Sequence, residues 1–554
     1  MWKSLIILGL WVFGCLGSSP AASYYVDYVA GSDANNGTAT GTPFQRCPGD
    51  ASATGTAAST TLSAGDTVYF KGGVSYVVTG AGGASSGIAL SWSGTAGNPI
   101  TYDGNSGGSW GTGRAIITDN HAASGHNSFL ATATRSNLTF RSLIMQELGG
   151  SATLPTDGGS AVAANPGGGI NFNAGTAARN IIVRDCDFSE IGYYFNQQPM
   201  NEASIQGGGL TFYDGNGIVI SNCNFSRQSI CVTLLATTVQ SNIVVANCVF
   251  TDSIRWCLNI ASVANNTHTD WITIRSNVFH DYWQFDSGAW TGYGEWPHTD
   301  GIFFRQDYTG ATYGTNNNFH ANSFYSDSSP GGGTADIYLT EGPSANIYNN
   351  TWTYSGKGLA LIYFYNTYNP SNPQVVNIFN NSFLTTFLPC INISGPGYDL
   401  STFNLKNNIF YDTQTGSGAN YLMYWNTTND LTGVILDYNI YKTANTSSYL
   451  MRWENGGGSY TLTDLRNVNW EDRGLADDPD YTALSDATAP LSANLALQSS
   501  SPCIGTGVNL SSYFNTDKNG ANRGGAWDMG AIEYGTNSPA AGITTLRVGT
   551  LILR

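Results

Sequence analysis

The chain has 554 residues, which is long enough for one large hydrophobic core or for several domains. Its 22 basic and 38 acidic side chains give a formal net charge of −16 at pH 7 without any basic patch, so the sequence predicts neither a nucleic-acid partner nor an anionic-membrane partner. Only 11% of the residues are charged, and 67 glycines with 31 tyrosines are typical of an extracellular β-protein with many tight turns.

Residues 1–23 predict a secretory signal peptide. Lys3 precedes an apolar run over residues 5–16, and small residues follow as far as Ser23. The run is too short to cross a bilayer as a helix, so we expect cleavage after residue 22 or 23 and a secreted, extracellular protein. A lipid anchor on Cys15 is the alternative that this stretch leaves open.

Residues 180–441 contain one short pattern that recurs nine times. Each copy is an alternating apolar run with a four-residue ending that closes on an aromatic residue, as in DCDF at 185–188. The nine closing residues are Phe188, Phe225, Phe250, Phe279, Phe324, Trp352, Phe383, Phe410 and Tyr441. Neighbouring closing residues are 25 to 45 positions apart, which is the spacing of a repeat architecture. Period-2 runs without helical patterns between them predict an all-β solenoid in which each repeat is one coil.

A second column of equivalent positions stands two places before each aromatic residue. It contains Cys186, Cys223, Cys248, Asn277, Asn322, Asn350, Asn381, Asn408 and Asn439. Stacking of the coils predicts an asparagine ladder at an inner turn, because the amide tolerates left-handed turn geometry and can bond to its neighbours. The alternative is that asparagine is simply common in turns. The cysteines of this column, like Cys231 and Cys257 in another, are predicted to be free core thiols.

A second series of strands runs through the same coils. With apolar residues inward, its outward positions are Asn171, Thr211, Asn259, Phe303, Arg305, Tyr338, Tyr363 and Tyr365. This face is polar and aromatic, and aromatic rings stack on the apolar faces of sugars. We therefore expect a carbohydrate-binding face that includes Tyr338 and Tyr363. An ordinary solvent-facing strand is the alternative.

The longest gap in the repeat, 45 residues from Phe279 to Phe324, inserts a loop over residues 281–299. A long loop inside a solenoid usually carries function. Its tryptophans Trp283, Trp290 and Trp296 are predicted to wall a cleft and to bind substrate. The alternative is that these aromatic residues form a small satellite core that packs the loop onto the coils.

The two ends of the mature chain carry family-like segments. YYVDYVAGSDANNGTATGTPF at 24–44 and LSAGDTVYFKGG at 62–73, with GGAWDMGAIEY at 524–534, resemble the lead-in and closing segments of secreted proteins of the pectate-lyase-like superfamily. The resemblance implies a right-handed parallel β-helix over residues 24–534, with regular coils from about 60 to 510 and a short tail over 535–554. It says little about activity, since the superfamily contains lyases, hydrolases, epimerases, phage fibres and adhesins.

A possible acid pair follows the inserted loop. HTDGI at 298–302 resembles the NTDGI segment of polygalacturonase-type hydrolases, which implies a catalytic role for Asp300. The next coil offers Asp336, where Ala335 replaces one acid of that family's pair, and Lys357 stands where the family has histidine. We expect these three side chains to begin consecutive coils and to lie within about 5–10 Å of one another. The alternative for both aspartates is a structural role, in which each is a turn residue that caps a strand.

Three classes of function follow. A hydrolase of a neutral polysaccharide would use Asp300 and Asp336 as its acid pair. Further candidates for this pair, held as reserve acids, are Glu295, Asp307 and Glu341. A Ca²⁺-dependent, pectate-type polysaccharide lyase would use Lys357 or Arg305, with Ca²⁺ held by acidic side chains. A carbohydrate-binding or adhesin-like solenoid would need no catalytic group. The histidine and cysteine spacings match no zinc site, and no cofactor is implied beyond Ca²⁺.

Overall fold

The structure is a computed structural model that describes most of the chain between residues 20 and 535. It leaves out the segments 1–19, 80–86, 121, 123–124, 150–167, 192–207, 264–266, 282–298, 307–313, 326–332, 354–358, 366–374, 386–388, 396–401, 414–420, 427–432, 444–448, 455–457, 485–493 and 536–554. The signal peptide and the tail predicted from the sequence therefore lie almost wholly outside the described residues. Among the helices that are described, none has the length and apolar character that a membrane span requires.

Thirteen parallel strands stack in chain order to form the first face of the molecule. They are β1 (Ser23–Val26), β2 (Thr67–Phe70), β5 (Ile100–Asp103), β8 (Arg135–Arg141), β11 (Ala178–Arg184), β14 (Asn216–Ser221), β16 (Gln240–Ala246), β18 (Thr269–Arg275), β21 (Asn317–His320), β24 (Ala345–Tyr348), β27 (Val375–Phe379), β30 (Thr402–Lys406) and β33 (Val434–Asp437). Each contributes alternating inward residues, as in the aligned column Ile181, Ile218, Ile243 and Ile272, all of which are buried.

The second face carries the aromatic residues of the repeat. Its strands are β3 (Ser75–Val77), β6 (Ala115–Thr118), β9 (Leu143–Leu148), β12 (Asp187–Ile191), the first halves of β15 (Asn224–Ala236) and β17 (Val249–Ser262), β19 (Val278–His280), β22 (Ser323–Tyr325), β25 (Thr351–Thr353), β28 (Ser382–Thr385), β31 (Ile409–Asp412) and β34 (Ile440–Thr443). The strands β15 and β17 run round a corner and join this face to the third.

The third face contains the second series of strands. They are β4 (Gly87–Ala89), β7 (Asn127–Ala131), β10 (Gly168–Phe172), β13 (Gly208–Tyr213), the second halves of β15 and β17, β20 (Thr299–Arg305), β23 (Gly333–Thr340), β26 (Ala360–Tyr365), β29 (Ile391–Ser394), β32 (Met423–Asn426) and β35 (Met451–Trp453). Outside the coils lie α1 (Gly55–Ser59), β36 (Gly458–Tyr460), α2 (Leu462–Asn467), β37 (Tyr481–Ala483) and β38 (Asn494–Leu497).

Three faces of stacked parallel strands around one hydrophobic core make a right-handed parallel β-helix, and the predicted fold class is confirmed. The predicted limits of the coils are wrong. Parallel pairing begins at β1, at Ser23, and the last coil ends with β35, at Trp453, rather than at about 60 and 510. The sequence pattern does not extend to the early coils, because their strands are short and the connections between them are long.

The corner between the first and second faces is a turn of two residues. In nine consecutive coils, from β11–β12 to β33–β34, the first of the two has a positive φ, as at Asn222 (52°) and Asn349 (55°). Asn and Asp accept this left-handed conformation more readily than most residues. The second residue of each turn belongs to the Cys/Asn column and points into the core.

The predicted asparagine ladder is confirmed. Within it, the side-chain oxygen of each asparagine accepts hydrogen bonds from the backbone N–H and the amide of the previous one, at 2.9–3.1 Å. The aromatic column beside it stacks ring on ring, with centroids 4.6–5.3 Å apart from Phe188 to Tyr441. The thiols of Cys186, Cys223 and Cys248 are free and buried, as predicted.

Residues 461–475 close the C-terminal end of both columns. The buried carboxyl of Glu471 accepts hydrogen bonds from the Asn439 amide and from the Tyr441 hydroxyl, each at 2.6 Å. The C-terminal segment 503–534, which includes the family-like residues 524–534, has a different place. It runs back along the two-residue turns, where Lys518 donates to the carbonyl of Ala321 and Gly530 N–H donates to the carbonyl of Asn407.

Glu471 makes the stability of this cap dependent on pH. Burial raises the pKa of Glu471 from 4.5 to about 7, against hydrogen bonds from Tyr441 and Asn439 that lower it. The folded protein therefore holds a proton that the unfolded chain has lost, so this contribution is fully present below about pH 4.5 and disappears as the pH rises through 7. Between pH 5 and pH 8 the wild type should lose up to about 3 kcal/mol more stability than Glu471→Gln. Thermal melts of both proteins at the two pH values measure this, and parallel losses would contradict it.

Candidate functional site

The lengths of the connections between strands suggest that the functional site lies on the third face. The corner between the first and second faces has two residues in each of the nine coils, whereas the connections that enter and leave the third face vary widely. The connection into β20 spans residues 281–298, the one into β13 spans 192–207, and the one that leaves β20 spans 306–316. Variable connections on a regular scaffold are where binding and catalytic residues concentrate. Both edges of the third face carry such connections.

The outward side of the third face bears a continuous row of aromatic rings, which we call the aromatic band. The Trp256 ring stacks on Phe303 at 4.5 Å, Phe303 meets Tyr338 edge to face at 5.4 Å, and Tyr338 stacks on Tyr363 at 5.0 Å. Tyr365 lies beside Tyr363, with ring centroids 6.0 Å apart. The band follows the stacking direction, because Phe303, Tyr338 and Tyr363 are register partners.

Burial divides the band into a base and a rim. Tyr338 and Tyr363, which the sequence predicts to bind substrate, are only 6% and 8% exposed. Their outward rings pack with Ala335 and Ala360, and they form a small apolar cluster outside the main core. Phe303 and Tyr365 are half-buried at its edge and present part of their rings to solvent. The rim residues are therefore the accessible part of the face.

Arg305 lies next to Phe303 on the same side of the sheet. It occupies the outward column that continues as Thr340 and Tyr365 in the next two coils, and it is half-buried. A second guanidinium belongs to Arg255, which lies 3.6 Å from the centre of the Trp256 ring. The described part of the band thus combines aromatic surface with two arginines.

Asp300 lies at the start of β20 and is fully buried. Its carboxyl accepts hydrogen bonds from Trp256 Nε1 at 3.1 Å and from the backbone N–H of Ala335 at 2.9 Å. Burial raises the pKa of Asp300 well above its ordinary range, and Asp336 adds to the shift. Both oxygens of this carboxyl are thus already engaged within the protein. The catalytic role that the resemblance implies for Asp300 would require contact with a substrate, whereas in the structure its carboxyl is buried.

Asp300 and Asp336 belong to strands of consecutive coils, but they are not register partners. From Asp300 onward β20 and β23 keep one register, in which Asp300 is aligned with Ala335; the shift of one residue lies before it, at Thr299. Asp336 comes one place later, in the column of Leu361, and it is buried.

Several predicted site residues lie outside the described residues. These are Trp283, Trp290 and Trp296 in the inserted loop, Lys357, and the reserve acids Glu295 and Asp307. Glu341, the third reserve acid, is buried at the end of β23 with a positive φ of 59°.

The sequence reasoning missed a charged column at the corner between the second and third faces, which we call the charged corner. It comprises Glu190, Arg227, Asp252 and Asp281, at the same position of four consecutive coils, and His280 beside the last of them. All four have positive φ, between 50° and 54°. The inserted loop begins at Asp281. A sequence signal existed, since each of the four stands two places after an aromatic closing residue.

The groups of the charged corner interact. His280 Nδ1 lies 2.7 Å from Asp281 Oδ2, and the His280 ring stacks on Tyr325 at 4.9 Å. Arg227 pairs with Glu190 at 3.1 Å. Burial raises the pKa of Asp252, and Asp281 shifts it in the same direction, while His280 acts against them. Unlike Asp300, the side chains of this corner are partly exposed to solvent.

This arrangement places an acid whose pKa is raised by burial beside an acid paired with an imidazole. Such a difference between neighbouring carboxyls is what general acid–base chemistry requires. Asp252 and Trp256 belong to one strand and are four residues apart, so the charged corner adjoins the aromatic band. Within the described ranges, no three His, Cys, Asp or Glu side chains gather as a metal site would require.

Comparison with known proteins gives a likeness of fold. No family model matches the chain, and no curated protein matches it. A solved pectate lyase is 13% identical, with 94% of this chain and 98% of the lyase covered at a TM-score of 0.47. A lacto-N-biosidase from Eubacterium ramulus is 12% identical, with 82% and 68% covered at a TM-score of 0.43.

A third similar structure is the A-module of a mannuronan C-5 epimerase from Azotobacter vinelandii. It is 13% identical, with 74% of this chain and 90% of the module covered at a TM-score of 0.40. At these identities the likeness concerns the architecture of the chain and not its chemistry. At the level of fold, the chain is a parallel β-helix.

Proposed function

We propose that the protein binds a polysaccharide along its third face and hydrolyses glycosidic bonds at the charged corner. The observation that carries the proposal is the aromatic band, from Trp256 to Tyr365, on the outward side of a sheet with long connections at both edges. Aromatic rings bury the C–H faces of sugars while leaving the hydroxyls free to form hydrogen bonds. A row of rings along the stacking direction suits an extended chain of sugars. Export, which the sequence predicts, would bring the protein to such a substrate.

The chemistry is proposed to use Asp252 and Asp281. Asp252, whose pKa is raised by burial, is the candidate general acid that protonates the leaving oxygen. Asp281, bonded to His280, is the candidate ionised partner, which acts as base or nucleophile. Asp300 and Asp336, the acids predicted from the sequence, are the second candidates. They would have to leave buried positions before they could touch a substrate.

A polysaccharide lyase is the alternative that Arg305 favours. A lyase removes the proton next to a uronate carboxylate, so it needs a cation that neutralises this carboxylate and a base that accepts the proton. Arg305 lies outward beside the rim of the band and could supply the cation; Lys357, with Ca²⁺ on acidic side chains, is the other candidate named from the sequence. The net charge of −16 works against an anionic substrate, which is why hydrolysis of a neutral chain is preferred.

A product assay distinguishes these functions. Purified mature protein is incubated with neutral and uronate-containing polysaccharides, with and without Ca²⁺, and new reducing ends and absorbance near 235 nm are both followed. We expect new reducing ends without absorbance, on a neutral glycan. Absorbance would mark a lyase and overturn the assignment of hydrolysis. Binding without either product would identify a carbohydrate-binding solenoid.

A further inference from the structure

The last coil carries a pocket of about 480 Å³ that the proposed function does not use. It lies between β33, the terminal strand of the first face, and a wall made of Trp453, Tyr460 and residues 468–472. The charged corner is on a different edge of the molecule. At least five coils, about 24 Å of stacking, separate β33 from the coil of Asp281.

Aromatic rings dominate the wall of this pocket. Trp453, Tyr460 and Trp470 line it, and each is half-buried, so that part of each ring is accessible. The aliphatic side chains of Ile435 and Val468, both exposed, form the rest of its apolar surface. Pockets of this volume with mostly apolar linings and a few polar groups are typical sites for small ligands.

The polar side chains that line the pocket are Asp437, Asn469 and Asp472. Both oxygens of Asp437 are engaged by Arg473, by its backbone N–H at 2.9 Å and by its guanidinium at 2.6 Å. Asp472 and Asn469 are exposed. Because Arg473 neutralises Asp437, the negative charge of the lining comes from Asp472, and Asn469 offers both a donor and an acceptor to hydroxyl groups.

The wall is held in place by the elements that close the coils. A capping box between Thr461 and Asp464 begins α2, and Leu465 buries its side chain in the core. Trp470 N–H donates to the carbonyl of Leu465 at 3.0 Å, and Glu471 is anchored to the asparagine ladder. The aromatic rings are therefore presented on a fixed backbone, which lowers the entropic cost of binding.

We infer that this terminal pocket binds a neutral sugar unit of a glycan, as a second site separate from the aromatic band. Its three rings would receive the apolar C–H faces of one or two sugar rings, and Asp472 and Asn469 would accept or share hydroxyl hydrogen bonds. A carboxylated sugar would be excluded by Asp472. Only the choice of a glycan as ligand class rests on the proposed function, because the pocket and its chemistry are separate from the catalytic assignment.

The test is direct binding, measured by saturation-transfer NMR and calorimetry on the mature protein. The probes are cellohexaose, xylohexaose and mannohexaose, with hexagalacturonate as the anionic comparison. Val468→Trp fills the mouth of the pocket from a residue that is 47% exposed, and Val29→Trp is the matched control at a 76% exposed valine near the other end. We expect at least one neutral probe to bind to the wild type. Its Kd should be at least tenfold higher for Val468→Trp and unchanged for Val29→Trp.

Asp472→Lys provides a second, charge-based readout at an exposed position where folding should be unaffected. We expect it to weaken binding of the neutral probe and to admit hexagalacturonate, which the wild-type pocket rejects. The inference is overturned if no neutral probe binds, if both tryptophan variants bind like the wild type, or if sedimentation shows that Val468→Trp changes only self-association. Binding is read without turnover, so a negative product assay would reject the proposed hydrolysis and leave this result standing.

Discussion

Replacement of Asp252 with asparagine is expected to lower the rate of glycan hydrolysis at least about 100-fold. The carboxyl would lose the proton that it is proposed to give to the leaving oxygen, while the left-handed backbone at this position, with φ of 50°, tolerates asparagine. Wild-type activity should fall as the pH rises through the raised pKa of Asp252, because the protonated form is the active one. The variant should lack this limb of its pH profile.

The matched control for this prediction is Asp185→Asn. Asp185 also has a positive φ, of 56°, at a corner turn, and the next two coils carry Asn222 and Asn247 at the same position. The control should keep full activity and an unchanged melting temperature. If Asp252→Asn and Asp281→Asn both retain wild-type rates on a glycan that the protein cleaves, the charged corner is not the catalytic site. Asp300, Asp336 and Lys357 would then be tested next.

Replacement of Asn350 with leucine is expected to destabilise the protein by about 3–6 kcal/mol, as several buried groups lose partners worth about 1–3 kcal/mol each. The side-chain oxygen of Asn350 accepts from the backbone N–H and the amide of Asn322, and its own amide donates to the carbonyl of Phe319. Leucine is similar in size and satisfies none of these groups. Urea unfolding followed by circular dichroism measures the effect.

Asn346→Leu is the control in the same coil. Asn346 belongs to a second ladder on the outside of the first face, where it bonds to Asn318 and Asn377 at 3.0 and 2.8 Å. It is half-buried, so water can replace the lost partners, and we expect a loss below about 1 kcal/mol. Equal losses of stability in the two variants would show that the inner ladder stabilises the coils no more than the outer ladder does.

The fold could be predicted from the sequence because its constraint is local and repeated. A two-residue turn with a left-handed first residue and an inward second residue fixes the offset between the Cys/Asn column and the aromatic column in each coil. Period-2 runs then place every other side chain inside. The sequence predicts a lead-in in place of the N-terminal coils, because long connections separate β1, β2 and β5 and obscure the repeat.

The site was predictable only in part. The aromatic character of the third face follows from alternation, and Phe303, Tyr338 and Tyr363 do align in one column. Alternation assigns a residue to one face of the strand, but it does not show how far an outward side chain is buried. It therefore does not predict the burial of Tyr338 and Tyr363. Asp300 lies one position away from the column of Asp336, because the register of β20 and β23 aligns Asp300 with Ala335. The residues of the charged corner stand at a fixed offset from the aromatic residues, but they differ in type and charge and therefore form no recognisable sequence motif.

The most direct test of the central claim is the affinity of a glycan for the rim of the aromatic band. Equilibrium binding of the polysaccharide identified by the product assay is compared between the wild type, Tyr365→Ala and Tyr513→Ala. Tyr365 lies on the rim, whereas Tyr513 is a 50% exposed tyrosine of the C-terminal segment 503–534, packed edge to face on Phe379 of the first face. Binding along the third face predicts an increase in Kd of about tenfold for Tyr365→Ala and no change for Tyr513→Ala. An unchanged Kd for Tyr365→Ala, or an equal increase for both variants, would contradict it.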